Sequence, residues 1–225
     1  MQKVTGRIGG PSGAPLRSDE TIAGPEVQVF DPVMRSLHWL TLFLIVGVFS
    51  TAALIDHDAP AAEMVFLIQL HRSLGLSIWV LTLIRFAWRQ FARLPGWPAG
   101  MPKAMQLAAR YSELLLYALL MVQPVLGLLH TNAHGNKVNF FFLFRLPAIV
   151  EQDDELAEVL IQLHGLAANI LFAVIALHAT AALYHHFIRR DEVLSRMLPE
   201  AVQYRLGLLP RGRRVPAKRF IGQSQ

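Results

Sequence analysis

The chain has 225 residues, 53% of them hydrophobic and only 16% charged, with a formal net charge of +5 and a mean hydropathy of +0.38. That balance belongs to a membrane protein and excludes an ordinary soluble domain. Cysteine is absent, which excludes disulfides, iron–sulfur clusters, thiolate catalysis and covalently attached c-type haem, so any metal must be held by nitrogen, oxygen or methionine sulfur.

Residues 1–32 read as a disordered tail, rich in Gly, Pro and Ser (Gly9-Gly10-Pro11-Ser12-Gly13), with too little apolar surface to pack. The start Met1-Gln2-Lys3-Val4-Thr5-Gly6 lacks the apolar run of a secretory signal. Four stretches, at about 37–54, 66–88, 107–129 and 159–187, are long and apolar enough to cross a hydrocarbon layer about 30 Å thick. The first opens just after Pro32 and runs through His38-Trp39; an acidic turn, Asp56-His57-Asp58-Ala59-Pro60, follows it. The second carries His71-Arg72-Ser73-Leu74-Gly75 and leaves through Arg85, Trp88 and Arg89, and Pro95-Gly96-Trp97-Pro98 breaks the chain after it. Pro124 and Gly127 predict a kink in the third, which has no internal histidine. In the connection 131–156, Phe140-Phe141-Phe142-Leu143-Phe144 is too short to cross and is predicted to lie in the interface. The fourth span includes His164 and His178 and ends with His185-His186-Phe187-Ile188-Arg189-Arg190-Asp191. A basic tail, 200–225, closes the chain. This is the pattern of an all-α, up-down-up-down, integral membrane four-helix bundle over 33–199, with no second folded domain.

Charge sets the orientation. Lys and Arg number four in 1–35, five in 85–110 and nine in 189–219, eighteen of the twenty-one. The other two connections hold only Arg72, Lys137 and Arg145, against Asp56, Asp58, Glu63, Glu151, Asp153, Asp154, Glu155 and Glu158. The positive-inside rule then makes both termini and the second connection cytoplasmic. The run Arg211, Arg213, Arg214, Lys218, Arg219 finds its nearest partner in anionic lipid headgroups rather than nucleic acid.

Histidine spacing carries the chemistry. His164 and His178 are fourteen residues apart; at 100° per residue they fall about 40° short of four whole turns, so both share one helix face at depths roughly 21 Å apart. With alternating span direction, His38 and His178 lie toward the cytoplasmic side, and His71 and His164 toward the outer side. Depth therefore pairs His38 with His178 and His71 with His164. Inward-facing histidines at two matched depths of a bundle suit two b haems, each held by two axial imidazoles. Taken alone, each histidine reads equally well as a packing residue or a member of a proton path.

Gly75, Ala167, Ala168 and Ala182 follow the histidines by three or four positions and share their faces, leaving room for a planar macrocycle; tight helix packing selects the same residues. His57 is a loop residue, and His130 and His134, at the outer end of the third span, fit interfacial solvation better than ligation. His185, seven beyond His178, is placed to hydrogen-bond a quinone carbonyl or a haem propionate, or only to reach the interface. Arg85, fourteen past His71, is placed to neutralise a propionate of the inner haem, although basic residues are common at that end of any span.

Ser36-Leu37-His38-Trp39-Leu40, His71-Arg72-Ser73-Leu74-Gly75, Leu177-His178 with Ala181-Ala182-Leu183-Tyr184-His185-His186, and Arg190-Asp191-Glu192-Val193-Leu194-Ser195-Arg196-Met197-Leu198-Pro199 together resemble the bacterial cytochrome b-561 family, over about 33–199. The resemblance implies a bacterial inner-membrane protein with two b haems in the pairing above. Some members look like superoxide oxidases that pass electrons from superoxide outside to ubiquinone inside, which would put Trp39 and His185 beside the quinone. Others are membrane subunits that relay electrons for a dehydrogenase or hydrogenase. Arg72 and Lys137 are positioned to attract an anion, but the nearby acids weaken such steering. The expected function is transmembrane electron transfer through two haems to or from quinone, with a haem-free transporter or proton channel as the contrasting possibility.

Overall fold

The computed structural model of the chain describes residues 29–55, 60–98 and 100–205. The N-terminal tail to residue 28, the turn 56–59 with His57, and the basic run after residue 205 lie outside them. Four long helices dominate: α1 (Pro32–Leu54), α2 (Ala61–Phe91), α3 (Lys103–Ala133) and α4 (Asp154–Tyr184). A π-helical turn, His185–Arg189, extends α4, and a 3-10 turn, Ser195–Met197, precedes a short α5 (Glu200–Arg205). All four long helices are apolar enough to cross a membrane, and only 11% of each apolar window is buried inside the protein. Apolar faces turned outward to that extent are stable only against lipid. Exposed Phe43, Phe172 and Leu177 belong to this outer surface.

The helix ends follow from local chemistry. Asp31 caps α1, its carboxylate accepting from the N–H groups of Val33 and Met34 at 3.0 Å each, and Pro32 occupies the first turn, where a missing donor costs nothing. Asp31 also accepts from the indole of Trp88 at 3.1 Å, tying the start of α1 to the end of α2. The starts of α2 and α3 follow Pro60 and Pro102. Asp153 caps α4 by accepting from Leu156 N–H, with Asp154 and Glu155 in the positive first turn. At 31 residues each, α2, α3 and α4 measure roughly 46 Å and overrun the hydrocarbon. Their polar final turns, such as Arg89-Gln90, continue the helix where water can solvate them.

Neighbours in sequence pack side by side: α1 on α2, α2 on α3, and α3 along α4. Among the described residues the backbone of α4 approaches α1 and α2 at isolated points at most. Ile78, Leu120 and Leu171 form the buried core at mid-height, flanked by Leu44, Ile45, Val48, Leu116, Leu119 and Ile175. Buried hydroxyls such as Thr82 and Thr41 donate to the carbonyl one turn back, which satisfies them inside the span. Across the α2–α3 seam, Arg89 pairs with Glu113.

At the end remote from both termini, the phenylalanine run folds as a hairpin, with β1 (Asn139–Phe140) antiparallel to β2 (Phe144–Arg145). Its turn holds Phe141 and Phe142 at φ 44° and 62°, a left-handed conformation that side chains resist. Docking on α2 compensates. The N–H groups of Asn139 and Phe141 donate to Gln69 Oε1 at 3.0 Å and Ser73 Oγ at 2.8 Å, and Phe142 stacks on Phe66 with centroids 5.6 Å apart. The α3 helix continues through Pro124 and Gly127, the positions of the predicted kink. Ser73→Ala leaves a backbone donor without its acceptor, a loss of about 1–3 kcal/mol. Amide exchange across 139–145 is therefore expected to rise roughly tenfold or more; exchange unchanged from wild type would show that the hydroxyl does not hold the hairpin.

Candidate cofactor site: two imidazole pairs

The structure brings the four spanning histidines together two by two. The rings of His38 on α1 and His178 on α4 have centroids 6.4 Å apart, and those of His71 on α2 and His164 on α4 are 6.2 Å apart. Between the two pairs lies the mid-height core, with Leu171 halfway from His164 to His178 along α4. The pairing deduced from depth is the pairing observed. Along this axis His38 and His178 occupy the end near the termini; His71 and His164 occupy the hairpin end.

Hydrogen bonds orient the hairpin-end pair. His71 Nδ1 lies 3.1 Å from the Val48 carbonyl on α1, with the Thr51 hydroxyl at 3.3 Å. His164 Nδ1 lies 3.1 Å from the Gln123 carbonyl on α3. A carbonyl only accepts, so each Nδ1 carries the proton and each Nε2 keeps its lone pair. Carbonyl-oriented imidazoles of this kind are what metal ligation requires of its supporting groups. Gln123 also reaches back, its side-chain amide donating to the His164 carbonyl at 2.9 Å. Gly127 completes the seat: a Cβ there would come within 3.0 Å of His164 Cε1. Read in the sequence as part of a kink, Gly127 also makes room for an imidazole. Among the described residues His38 and His178 have no comparable carbonyl partner.

Gly75 behaves differently, since a Cβ there would meet nothing within 4 Å. Helix packing therefore does not require glycine at this position, which favours open room beside His71 over close approach. Of the predicted alanines, Ala167, Ala168 and Ala182 are half-buried along α4. His178 is exposed, an unusual position for an imidazole within an apolar membrane helix unless a polar or metal partner meets it. His130 Nδ1 lies 3.0 Å from the Ala157 carbonyl and its ring stacks on His134 at 5.9 Å, so His130 ties α3 to α4, while His134 is exposed as expected.

Around the pair near the termini stand the other predicted residues. Trp39 meets the His38 ring edge-on at 5.6 Å, and its indole N–H donates to the Met197 carbonyl at 2.9 Å. The Arg85 guanidinium lies over the Tyr117 ring, 5.6 Å from its centroid, and its charge acts on both His38 and His178. Arg85 Nε, Tyr117 OH and Trp79 Nε1 are buried with no hydrogen-bond partner, a costly state for three donors unless a ligand receives them. His185 is 6% exposed and its Nδ1 lies 2.5 Å from Asp191 Oδ2. Neither Asp191 nor Tyr117 was legible as a site residue, because the contacts of both depend on how the helices and the terminal turn pack.

A membrane bundle of this kind, with imidazoles paired at two depths of one helix, has a donor set that could hold a metal or haem. The sequence matches the profile of prokaryotic cytochrome b561 over residues 29–200. Cytochrome b561 homolog 2 of Escherichia coli (strain K12) is 30% identical over 175 residues, covering 74% of this chain and 89% of that protein. Cytochrome b561 homolog 1 of the same organism is 30% identical over 172 residues, 76% and 97% of the two chains. A probable superoxide oxidase, CybB, of Yersinia pestis is 31% identical over 165 residues, 73% and 92%. The chain belongs to the prokaryotic cytochrome b561 family, and so is a multi-pass bacterial membrane protein whose family implies haem b and electron transfer across the membrane.

Asp191, just past the last span, gives the site a pH signature. Burial pushes its carboxyl up, but the hydrogen bond with His185, the Val193 N–H and the charges of His185 and Arg189 outweigh it and hold the group below its ordinary value. A depressed carboxyl stabilises the fold fully above the unfolded value and stops doing so as pH falls through the folded one. Infrared difference spectra of wild type against Asp191→Asn should show the carboxylate band persisting at about pH 4, the ordinary range for aspartate; a band that titrates at or above that pH would contradict the assignment.

Proposed function

We propose that the chain carries electrons across the bacterial inner membrane through two b haems, one ligated by His38 and His178, the other by His71 and His164. The observation that carries this is the pair of imidazole couples at 6.4 and 6.2 Å. An ion about 2 Å from each ring nitrogen, with roughly 1.2 Å more to each centroid, spans about 6.4 Å. Among the described residues no group of three or more His, Cys, Asp or Glu side chains converges. Two protein ligands per site suit an ion whose other positions a porphyrin fills. The separation of α4 from α1 and α2, the space at Gly75 and the exposed His178 all accommodate such a group. When bound, the haems would supply reversible one-electron transfer, and a site held by two imidazoles would favour electron relay over oxygen binding.

The chain's own residues do the rest. Val48 and Gln123 fix the tautomers of His71 and His164. Arg85 lies where a guanidinium would neutralise a propionate of the haem between His38 and His178, and the orphan hydroxyl of Tyr117, whose ring lies under that guanidinium, would hydrogen-bond the same group. Charge orients the termini toward the cytoplasm, so ubiquinone would be reduced at that end, lined by the Trp39 ring and by His185. The donor would arrive at the hairpin end: superoxide, by likeness to the relative named as a probable superoxide oxidase, or another outer-side donor. Glu151, Asp154, Glu155 and Glu158 are all exposed at that end and repel an anion more than Arg72 and Lys137 attract it. That observation favours a second reading, a relay subunit for a dehydrogenase or hydrogenase, which copurification of a second polypeptide would support.

His38→Ala and His178→Ala should each abolish the same low-spin b-type absorbance and leave the other, while His71→Ala and His164→Ala remove the second. Loss of one common signal from His38→Ala and His164→Ala would refute the pairing. His185→Ala should keep both haems yet slow ubiquinone reduction by about a hundredfold, the scale of a missing proton donor; turnover equal to wild type would remove His185 from the quinone site.

A further inference from the structure

The α4 helix does not end as an ordinary helix. From His185 to Arg189 its hydrogen bonding widens to a π turn, a rare device found mostly at functional sites. Arg190 then adopts φ 55°, a left-handed conformation that costs a side chain about 1–2 kcal/mol, and the Asp191 N–H donates to the His185 carbonyl at 3.2 Å. In a continuous α-helix, residue 191 would sit about 240° around the axis and roughly 9 Å farther along than residue 185, out of reach. The distorted turn folds the chain back and lays the Asp191 carboxylate on the His185 ring at 2.5 Å.

The carboxylate is itself held. Val193 N–H donates to its other oxygen at 3.2 Å, and Arg189 Nε lies 3.5 Å away. Among the described residues His185 and Arg189 are the charged groups that act on it. The segment behind it is anchored to α1, where Arg35 Nη1 donates to the Leu198 carbonyl at 3.0 Å and Trp39 to that of Met197. The His185 side chain is 8% exposed and that of Asp191 17%, so the dyad is largely buried and Asp191 is its more water-accessible partner.

We infer that Asp191 is a positioning residue for quinone reduction, holding His185 Nδ1–H so that Nε2 is the nitrogen presented to the substrate; this rests on the quinone reading above. Quinone reduced to quinol gains two electrons and two protons. The electrons come from the outer-side donor. Each proton passes from Nε2 of the His185 imidazolium to a quinone oxygen, leaving a neutral imidazole whose remaining proton stays on Nδ1 against Asp191. Before the second transfer a proton from the surrounding water, delivered as hydronium, returns to Nε2, while Nδ1 keeps its own proton against Asp191. A carboxylate behind an imidazole fixes its tautomer and stabilises the imidazolium without itself taking the proton, as in other carboxylate–histidine pairs. Asparagine at 191 keeps the shape, loses the charge and can hold the wrong tautomer.

The test uses the full-length, haem-loaded protein, chemically reduced and then mixed rapidly with a short-chain ubiquinone while its reoxidation is followed by absorbance. Asp191→Asn should keep both haem signals and a half-saturating quinone concentration within about twofold of wild type. Its maximal rate should fall about tenfold to a hundredfold, with a larger solvent deuterium isotope effect, and Asp191→Glu should recover most of the rate. Asp191→Asn at the wild-type rate, with His185→Ala slow, overturns the role of Asp191 alone. Haem loss in Asp191→Asn, or a changed half-saturating concentration at constant rate, makes the carboxylate structural and also overturns it. Wild-type protein that ubiquinone does not reoxidise defeats the quinone reading and this inference together.

Discussion

An imidazole in hydrocarbon has two nitrogens to satisfy and no water to satisfy them with. At the hairpin end, the Nδ1 atoms of His71 and His164 are answered by the carbonyls of Val48 and Gln123, each on a different helix from the histidine it serves. The two rings lie with their centroids 6.2 Å apart. Four helices and two depths follow from that demand, because each pair needs a helix on both sides and α4 supplies one partner to each.

Helix packing serves the same requirement. The α3 helix lies along α4 and delivers both the Gln123 carbonyl and the Gly127 notch that seats His164. By contrast α4 stands off from α1 and α2, where its histidines look across to His38 and His71. The mid-height core of Ile78, Leu120 and Leu171 separates the two imidazole layers with apolar side chains. At the end near the termini the chemistry changes character, with Arg85, Tyr117 and the His185–Asp191 dyad gathering polar groups beneath the last layer.

Much of this was legible in the chain itself. The fourteen-residue step from His164 to His178 is a property of helix geometry, and alternating direction pairs the rest by depth without a structure. Arg85 was placed by the same count from His71. What stayed hidden depends on contacts that spacing does not encode. The seat that Gly127 makes for His164 is one such feature, because nothing local says that an imidazole from another helix fills the glycine's place. Asp191 is six residues from His185, on the wrong face of any regular helix, and only the π turn and the left-handed Arg190 bring it back. The hairpin at 139–145 likewise looked like an interfacial run, because its acceptors Gln69 and Ser73 lie some seventy residues earlier.

The most direct measurement of the central claim is haem content per chain, by pyridine haemochrome assay on the purified protein, joined to electron paramagnetic resonance of the oxidised form. Two b haems per polypeptide, both low-spin with the signature of paired imidazoles, is the predicted result. A single haem per chain, a high-spin iron with an open position, or a colourless protein expressed with ample haem would contradict it.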